Sequence, residues 1–331
     1  MKLIGVSMVS NEADMVEAFV RHNLGVLDAL VVLDHMSIDR TPDILRALAQ
    51  EGLALAVLRD NERAFRQGER QTLLARRYLA EWQADFCFAL DADELIACES
   101  RADLERALAA LPADSHGLVP LRNYFGVGDA TQANPVARLT RRMRVERKPT
   151  RKVVLRREFA DDPANQVSFG NHAAIRVDAG RVTPLVHNPL EGVALAHFPV
   201  RSPEQIAKKA LLGWLSWRLT QPERYMPDPL ADTAPNAHWR RMFGQLAAGG
   251  DPADPAIMRD AIAAYAAGEN REPVADAELV EEPLGCAYEL RYTQPRLDTP
   301  LALLARWADQ LVTEVNATSR GSAPPGAARR G

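Results

Sequence analysis

Three carboxylates fall within four residues at Asp91-Ala92-Asp93-Glu94, directly after the apolar run Phe86-Cys87-Phe88-Ala89-Leu90. That run has the length and aromatic content of a strand buried on both faces, as in a parallel sheet covered by helices. If the strand continued, Asp91 and Asp93 would point to opposite sides, whereas a turn after Leu90 lets them converge. Converging carboxylates repel each other unless a cation lies between them, and hard oxygen ligands suit Mg²⁺ or Mn²⁺. Such an ion keeps open positions for phosphate oxygens. The other reading is an acidic loop that caps the next element, and a bare Asp-x-Asp does not separate the two.

Further along the chain, two histidines have settings that suit chemistry. His197 lies among apolar residues in Leu195-Ala196-His197-Phe198-Pro199 and reads either as a metal ligand or as a structural imidazole. His172 follows a glycine in the turn Val167-Ser168-Phe169-Gly170-Asn171-His172. Between them and the carboxylates, ten arginines and lysines lie from Arg138 to Arg157. Such a run is a solvated face, or a cationic wall for the phosphates of a nucleotide or for an acidic partner.

These residues need elements to hold them. Leu3–Val9 reads as a strand that meets Ser10-Asn11-Glu12-Ala13-Asp14, where Ser10 or Asn11 would cap the next helix. Val16, Phe19, Val20 and Leu24 give that helix an apolar stripe. A second strand, Ala29–Leu33, ends at Asp34, and Thr41-Pro42 caps and starts another helix. A third strand spans Leu53–Leu58, a helix follows from about Gly68 to Trp82, and Phe86–Leu90 is the fourth strand. Strands alternating with helices of this length predict an α/β fold with a doubly wound, mostly parallel sheet flanked by helices. Right-handed crossovers then put Asn11, Glu12, Asp34, Arg59, Asp60, Asp91 and Asp93 on one edge of the sheet, where ligands collect.

Beyond this, Gly117–Leu121 and Lys152–Arg156 read as strands, and Ser202-Pro203-Glu204 starts a helix running to about Leu219. Residues 1–220 form the expected catalytic domain and 221–317 a mainly helical extension, with the stretch Pro222–Pro235 too rich in proline for one regular element. Residues 318–331 are Gly, Ala, Ser, Pro and Arg in the main and read as a disordered tail.

The net charge of −4 over 331 residues argues against nucleic acid as a partner. Cys87, Cys98 and Cys286 are too scattered for a disulfide framework or a zinc site. No signal-peptide pattern opens the sequence and no stretch approaches the roughly 20 apolar residues that span a bilayer. The expected location is cytoplasmic, with contact at the inner face of the membrane left open.

Taken together, the order Asn11-Glu12, then Asp34-His35-Met36-Ser37-Ile38-Asp39-Arg40-Thr41, then Asp91-Ala92-Asp93-Glu94 resembles the bacterial branch of the family 2 glycosyltransferases, which have the GT-A fold. The likeness covers about residues 1–215 and continues through Gly170-Asn171-His172 and Leu195–Ser202. It implies a nucleotide-sugar donor, a UDP- or GDP-sugar, with base and ribose near Asn11, Glu12 and Asp34. It implies a Mn²⁺ or Mg²⁺ ion at Asp91 and Asp93, with His197 completing the metal site and Arg70 sharing the phosphate charge. The acceptor would be a glycan or a lipid-linked hydroxyl, attacked with inversion. The acidic base motif of the family has no clear counterpart here; Glu158, Asp161 and Asp162 lie in the right region, and His172 is the preferred base. Two other readings stay open: a nucleotidyltransferase acting on sugar phosphates, and an inactive binding module that keeps the fold.

Overall fold

The computed structural model describes residues 1–126, 132–220, 237–251, 254–267, 272–293 and 298–321. The first half of the sheet consists of β1 (Leu3–Val9), β2 (Ala29–His35), β3 (Leu55–Asp60) and β4 (Phe86–Leu90). These strands run parallel in the order β3-β2-β1-β4. The helices α1 (Val16–Asn23), α2 (Thr41–Gln50) and α3 (Gln67–Glu81) connect them in turn. Alternate residues face opposite layers, so Leu3, Leu30 and Phe88 pack with Val16, Phe19 and Leu45 of α1 and α2. Ile4, Val31 and Cys87 pack on the other side with Leu74, Ala75 and Leu79 of α3. Cover on both faces is why β1 and β4 are buried throughout. The α/β, doubly wound architecture expected from the sequence is present.

Past β4 the sheet becomes mixed. β5 (Glu94–Ala97), α4 (Arg101–Ala109), β6 (His116–Phe125), β7 (Arg141–Met143) and β8 (Arg151–Arg156) follow. β8 runs antiparallel between β4 and β6. Three short strands, β9 (Asn165–Val167), β10 (Ala174–Asp178) and β11 (Arg181–Pro184), make a separate small sheet. β12 (His187–Pro189) and β13 (Ala194–His197) both join β6 in parallel, and β13 also pairs antiparallel with β5. β14 (Leu279–Glu281) closes the sheet on β7.

The C-terminal helices pack on this end of the sheet. The segment Pro203–Lys208 is α-helical, Lys209–Gly213 is a π-turn, and Trp214–Thr220 resumes the α-helix. Helices Ala237–Ala247, Pro255–Ala267 and Pro300–Gly321 complete it. Phe125 and Met143 of the sheet share a buried cluster with Ile206, Ala210, Met242 and Ile257. The last helix runs through residues 318–321, where a tail was expected, and residues 322–331 and the Pro222–Pro235 stretch lie outside the described residues. No helix among the described residues is long and apolar enough to cross a membrane.

Candidate functional site

At the carboxyl end of β1 and β2 the chain locks two loops together. Asn11 adopts a left-handed backbone (φ 56) and donates its N–H to Ser37 Oγ at 2.8 Å. Its carboxamide oxygen accepts from Ile38 N at 2.9 Å and Asp39 N at 3.3 Å. Thr41 Oγ1 accepts from Glu12 N at 2.8 Å, and Asp39 Oδ2 accepts from Ala13 N at 3.2 Å. Neither Ser10 nor Asn11 caps α1, whose cap position is Met15, and Thr41 does not cap α2. Their polar groups are spent across the two loops instead, where buried N–H groups would otherwise go unpaired.

The chain turns after Leu90, with Glu94 N donating to Asp91 O at 3.1 Å, and both Asp91 and Asp93 line one cavity of about 610 Å³. Asp91 accepts from Gln67 Nε2 at 2.6 Å and Asn171 Nδ2 at 3.0 Å, and it pairs with Lys152 Nζ. Lys152 also meets Glu94 at 2.8 Å. Burial pushes the Glu94 pKa up, with the Lys152 charge opposing it. Asp93 Oδ2 pairs with Lys209 Nζ at 2.7 Å and lies 3.5 Å from Arg201. Burial works against ionised Asp93, yet the neighbouring positive charges, Lys209 first, hold its carboxyl well below the usual range.

The register of β13 decides where His197 stands: opposite Glu94 on β5 and beside Asn123 on β6. Its Nε2 lies 3.7 Å from Asp93 Oδ1 and its Nδ1 lies 2.7 Å from Asn123 Oδ1. Asn123 spends its amide N–H₂ on Glu146 at 2.6 Å, so its oxygen accepts from His197 Nδ1–H. Burial, the largest cause, lowers the His197 pKa to about 4, so the ring is neutral at pH 7 with its lone pair on Nε2. A lone pair facing a carboxylate oxygen is unfavourable unless a cation or proton lies between. His172 faces the same cavity. Its Nδ1 lies 2.9 Å from the Arg151 carbonyl, which only accepts, so Nε2 is again the unprotonated nitrogen. Desolvation first, then the Lys152 charge, lowers its pKa.

A buried charge cluster backs the wall. Arg201, fully buried, pairs with Glu12 and with Asp14 at 2.6 Å. Lys208 meets Asp39 at 3.3 Å and Asp14 at 3.7 Å, and Lys209 lies 3.6 Å from Glu12. Six carboxylates, Glu12, Asp14, Asp39, Asp91, Asp93 and Glu94, thus face four cations, Lys152, Arg201, Lys208 and Lys209. The excess stays negative even with Glu94 protonated. Among the described residues no set of three or more His, Cys, Asp and Glu is gathered round one point. The donor chemistry nevertheless suits a divalent ion, because hard oxygens of Asp91 and Asp93 and the His197 lone pair line the same cavity.

Other expected residues are placed elsewhere. Arg70 pairs with Asp60 at 2.7 Å and with Glu62, away from the cavity wall. Asp34 is buried behind that wall, accepting from Ser37 N at 3.3 Å. Asp162 is tied to Arg176, and neither it nor Glu158 nor Asp161 lines the cavity. Most of the basic run finds partners in the chain itself: Arg141 holds Asp276, Arg142 holds Glu282 and Arg147 holds Glu278. Lys148 and Lys152 are its two members at the cavity. The role of Arg201, and of Trp239 and Tyr265, which also line the cavity with Tyr265 edge-on to His197, had no local signal in the sequence.

No protein-family model matches the sequence, and no curated protein matches it. The fold is similar to that of S. aureus TarS 1-349, at 13% identity, 86% of this chain, 97% of that chain and a TM-score of 0.38. It is also similar to the mannosyltransferase PcManGT from Pyrobaculum calidifontis in complex with GDP-Man and Mn²⁺, at 15% identity, 76% of this chain, 77% of that chain and a TM-score of 0.38. A third is glucosyl-3-phosphoglycerate synthase from Mycobacterium tuberculosis in complex with Mn²⁺, UDP and glucosyl-3-phosphoglycerate, at 15% identity, 48% of this chain, 57% of that chain and a TM-score of 0.27.

Proposed function

We propose that the protein is a metal-dependent glycosyltransferase with the GT-A fold, moving a sugar from a UDP- or GDP-sugar to a hydroxyl of a glycan or lipid-linked acceptor in the cytoplasm. The observation that carries this reading is that Asp91, Asp93 and a neutral His197, whose Nε2 lies 3.7 Å from Asp93, line one cavity together with Lys152, Lys208 and Lys209. Asp91, Asp93 and His197 would hold Mn²⁺ or Mg²⁺, which when bound supplies a Lewis acid for the leaving diphosphate. The lysines lie where they add positive charge against the same phosphates, a stabilisation worth most in a water-poor site.

His172 is the base in this reading. Its unprotonated Nε2 takes the proton of the acceptor hydroxyl while that oxygen bonds to the anomeric carbon and the carbon–phosphate oxygen bond breaks, with inversion. Asn11, Glu12 and Asp34 serve the donor indirectly, by fixing the loops that floor the cavity.

A thermal-shift panel of nucleoside diphosphates, with and without Mn²⁺, tests the reading on wild type and on Asp91→Ala/Asp93→Ala. A ligand that binds only the folded state at about 100 times its Kd adds roughly 2.7 kcal/mol of stability. A Mn²⁺-dependent shift for one nucleotide, lost in the double variant, is the expected result. No shift for any of them removes the donor site. Pyrophosphate release from a nucleoside triphosphate and a sugar phosphate would make the protein a nucleotidyltransferase instead.

A further inference from the structure

The first turns of α3 bury three polar side chains, Gln67, Gln71 and Thr72, and buried polar groups need partners. Gln67 and Gln71 are four apart, as are Gly68 and Thr72, so all four share one side of the helix. That side joins the end of β4 to the turn Ser168–Ala173. Gln71 Nε2 donates to Leu90 O at 3.2 Å, and Thr72 Oγ1 accepts from Val167 N at 2.8 Å. Gly68 lets helix and turn close on each other, since a Cβ there would lie 3.0 Å from Val167 O. Gln67 bridges the two ends. Its Nε2 donates to Asp91 Oδ1 at 2.6 Å, and its Oε1 accepts from Gly170 N at 3.2 Å.

From within the turn, Asn171 reaches the same oxygen, with Nδ2 at 3.0 Å from Asp91 Oδ1. Gly170 (φ 73) and Asn171 (φ 59) are consecutive left-handed residues, a backbone that its surroundings must hold. Asn171 N donates to Ser168 O at 3.0 Å, Ser168 N to Ala173 O at 2.9 Å, and Ala173 N to Ser168 Oγ at 3.0 Å. Asn171 is fully buried and its Oδ1 has no hydrogen-bond partner among the described residues, so the amide stays on Asp91 at a cost. His172 is the next residue, with its Nδ1 at 2.9 Å from Arg151 O. Strand β8 thus fixes one ring nitrogen, and the turn fixes the backbone from which the ring hangs. We propose that Gln67 and Asn171 are positioning residues, pinning this turn to Asp91 so that the His172 Nε2 lone pair has one direction in the cavity. The inference rests on the glycosyltransferase reading, in which His172 is the base, and needs no bound ion. It gives Asp91 a further duty, because a single carboxylate oxygen anchors both amides.

Nitrogen NMR of the histidine rings in the full chain tests this without any ligand, with His172 assigned by the signals lost in His172→Gln. Wild type should show one neutral tautomer at His172, with the proton on Nδ1. Gln67→Met and Asn171→Gly each remove one amide, and glycine accepts the φ of 59 at position 171, so that variant keeps the turn unstrained. Both should show His172 averaged between tautomers. Both should also hydrolyse UDP- or GDP-sugar, water taking the acceptor's place, roughly tenfold to a hundredfold more slowly. Their thermal shift with nucleoside diphosphate and Mn²⁺ should match wild type. A merely structural role would not change ring and turnover while leaving binding intact. A single Nδ1–H tautomer in both variants would overturn the inference. So would a thermal shift that falls in step with turnover, since the amides would then serve the ligand site through Asp91. If wild type binds no nucleotide, the glycosyltransferase reading falls, and the ring signature still decides whether Gln67 and Asn171 position His172.

Discussion

Two neutral imidazoles face one cavity, and their hydrogen bonds separate their roles. His197 is oriented by Glu146 through Asn123 and presents its lone pair to Asp93. His172 is oriented by a main-chain carbonyl and lies on the Lys152 side. Replacing His172 with Gln should therefore lower kcat by about 10²–10⁴, the usual range for a lost general base, while the nucleotide-induced thermal shift stays as in wild type. A lost thermal shift would make His172 a binding group and not the base. Gly170 gives a second handle on the same ring. It holds φ 73, and a Cβ there would lie 2.6 Å from His172 Nε2. Gly170→Ala should lower kcat through displacement of the imidazole, with about 1 kcal/mol of lost stability from the left-handed backbone. Unchanged turnover would show that the ring position is unimportant. At this scale the sequence spoke through residue type: carboxylates packed behind an apolar strand. It offered Asn11 as a cap and as a donor contact and missed that its carboxamide serves loop 38–39, because an asparagine that binds ligand and one that binds backbone look alike in sequence.

Among elements, local patterns were readable and distant pairings were not. The first four strands and their helices follow from apolar periodicity, and β3 differs from expectation by starting at Leu55 after a tight turn in which Leu55 N meets Leu53 O. The strand pair that brings His197 to the carboxylates joins residues about a hundred positions apart, and no periodicity encodes that register. The basic run shows the same contrast. Its density suggested phosphate or an acidic partner, and the partner for Arg141, Arg142 and Arg147 is the chain's own segment around β14. That clasp lies next to Glu146, which fixes Asn123 through two hydrogen bonds of 2.7 Å and 2.6 Å. Arg147→Ala should thus accelerate amide exchange across Leu279–Glu281 before it changes exchange in β1 or β4, which are buried on both faces. Equal protection of β14 in variant and wild type would remove the clasp as a determinant of that edge.

For the whole molecule, a net charge of −4 conceals where charge is concentrated: the site cluster lies buried, and composition cannot report burial. Burial also fixes how stability responds to acid. His116 accepts Arg156 N–H at its Nδ1, packs against Phe159 and His187, and has its pKa lowered to about 4, by desolvation first and then by the charges of His187 and Arg156. The unfolded chain takes up a proton on this residue near pH 6.5, whereas the folded chain resists until about pH 4. The unfolded state therefore binds more protons across that window, and stability falls as pH falls through it. His197, also lowered to about 4, acts in the same sense, and Glu94, raised by burial, acts in the opposite one. The difference between wild type and His116→Gln isolates one residue from these, since Gln can still accept from Arg156 N–H and cannot titrate. Urea unfolding from pH 7 to pH 4 should show the variant losing less stability, with its slope smaller by up to about 1.4 kcal/mol per pH unit. Parallel slopes would mean that His116 is protonated in the folded protein, and the packing of β6 against β8 and β12 would have to accommodate a charge.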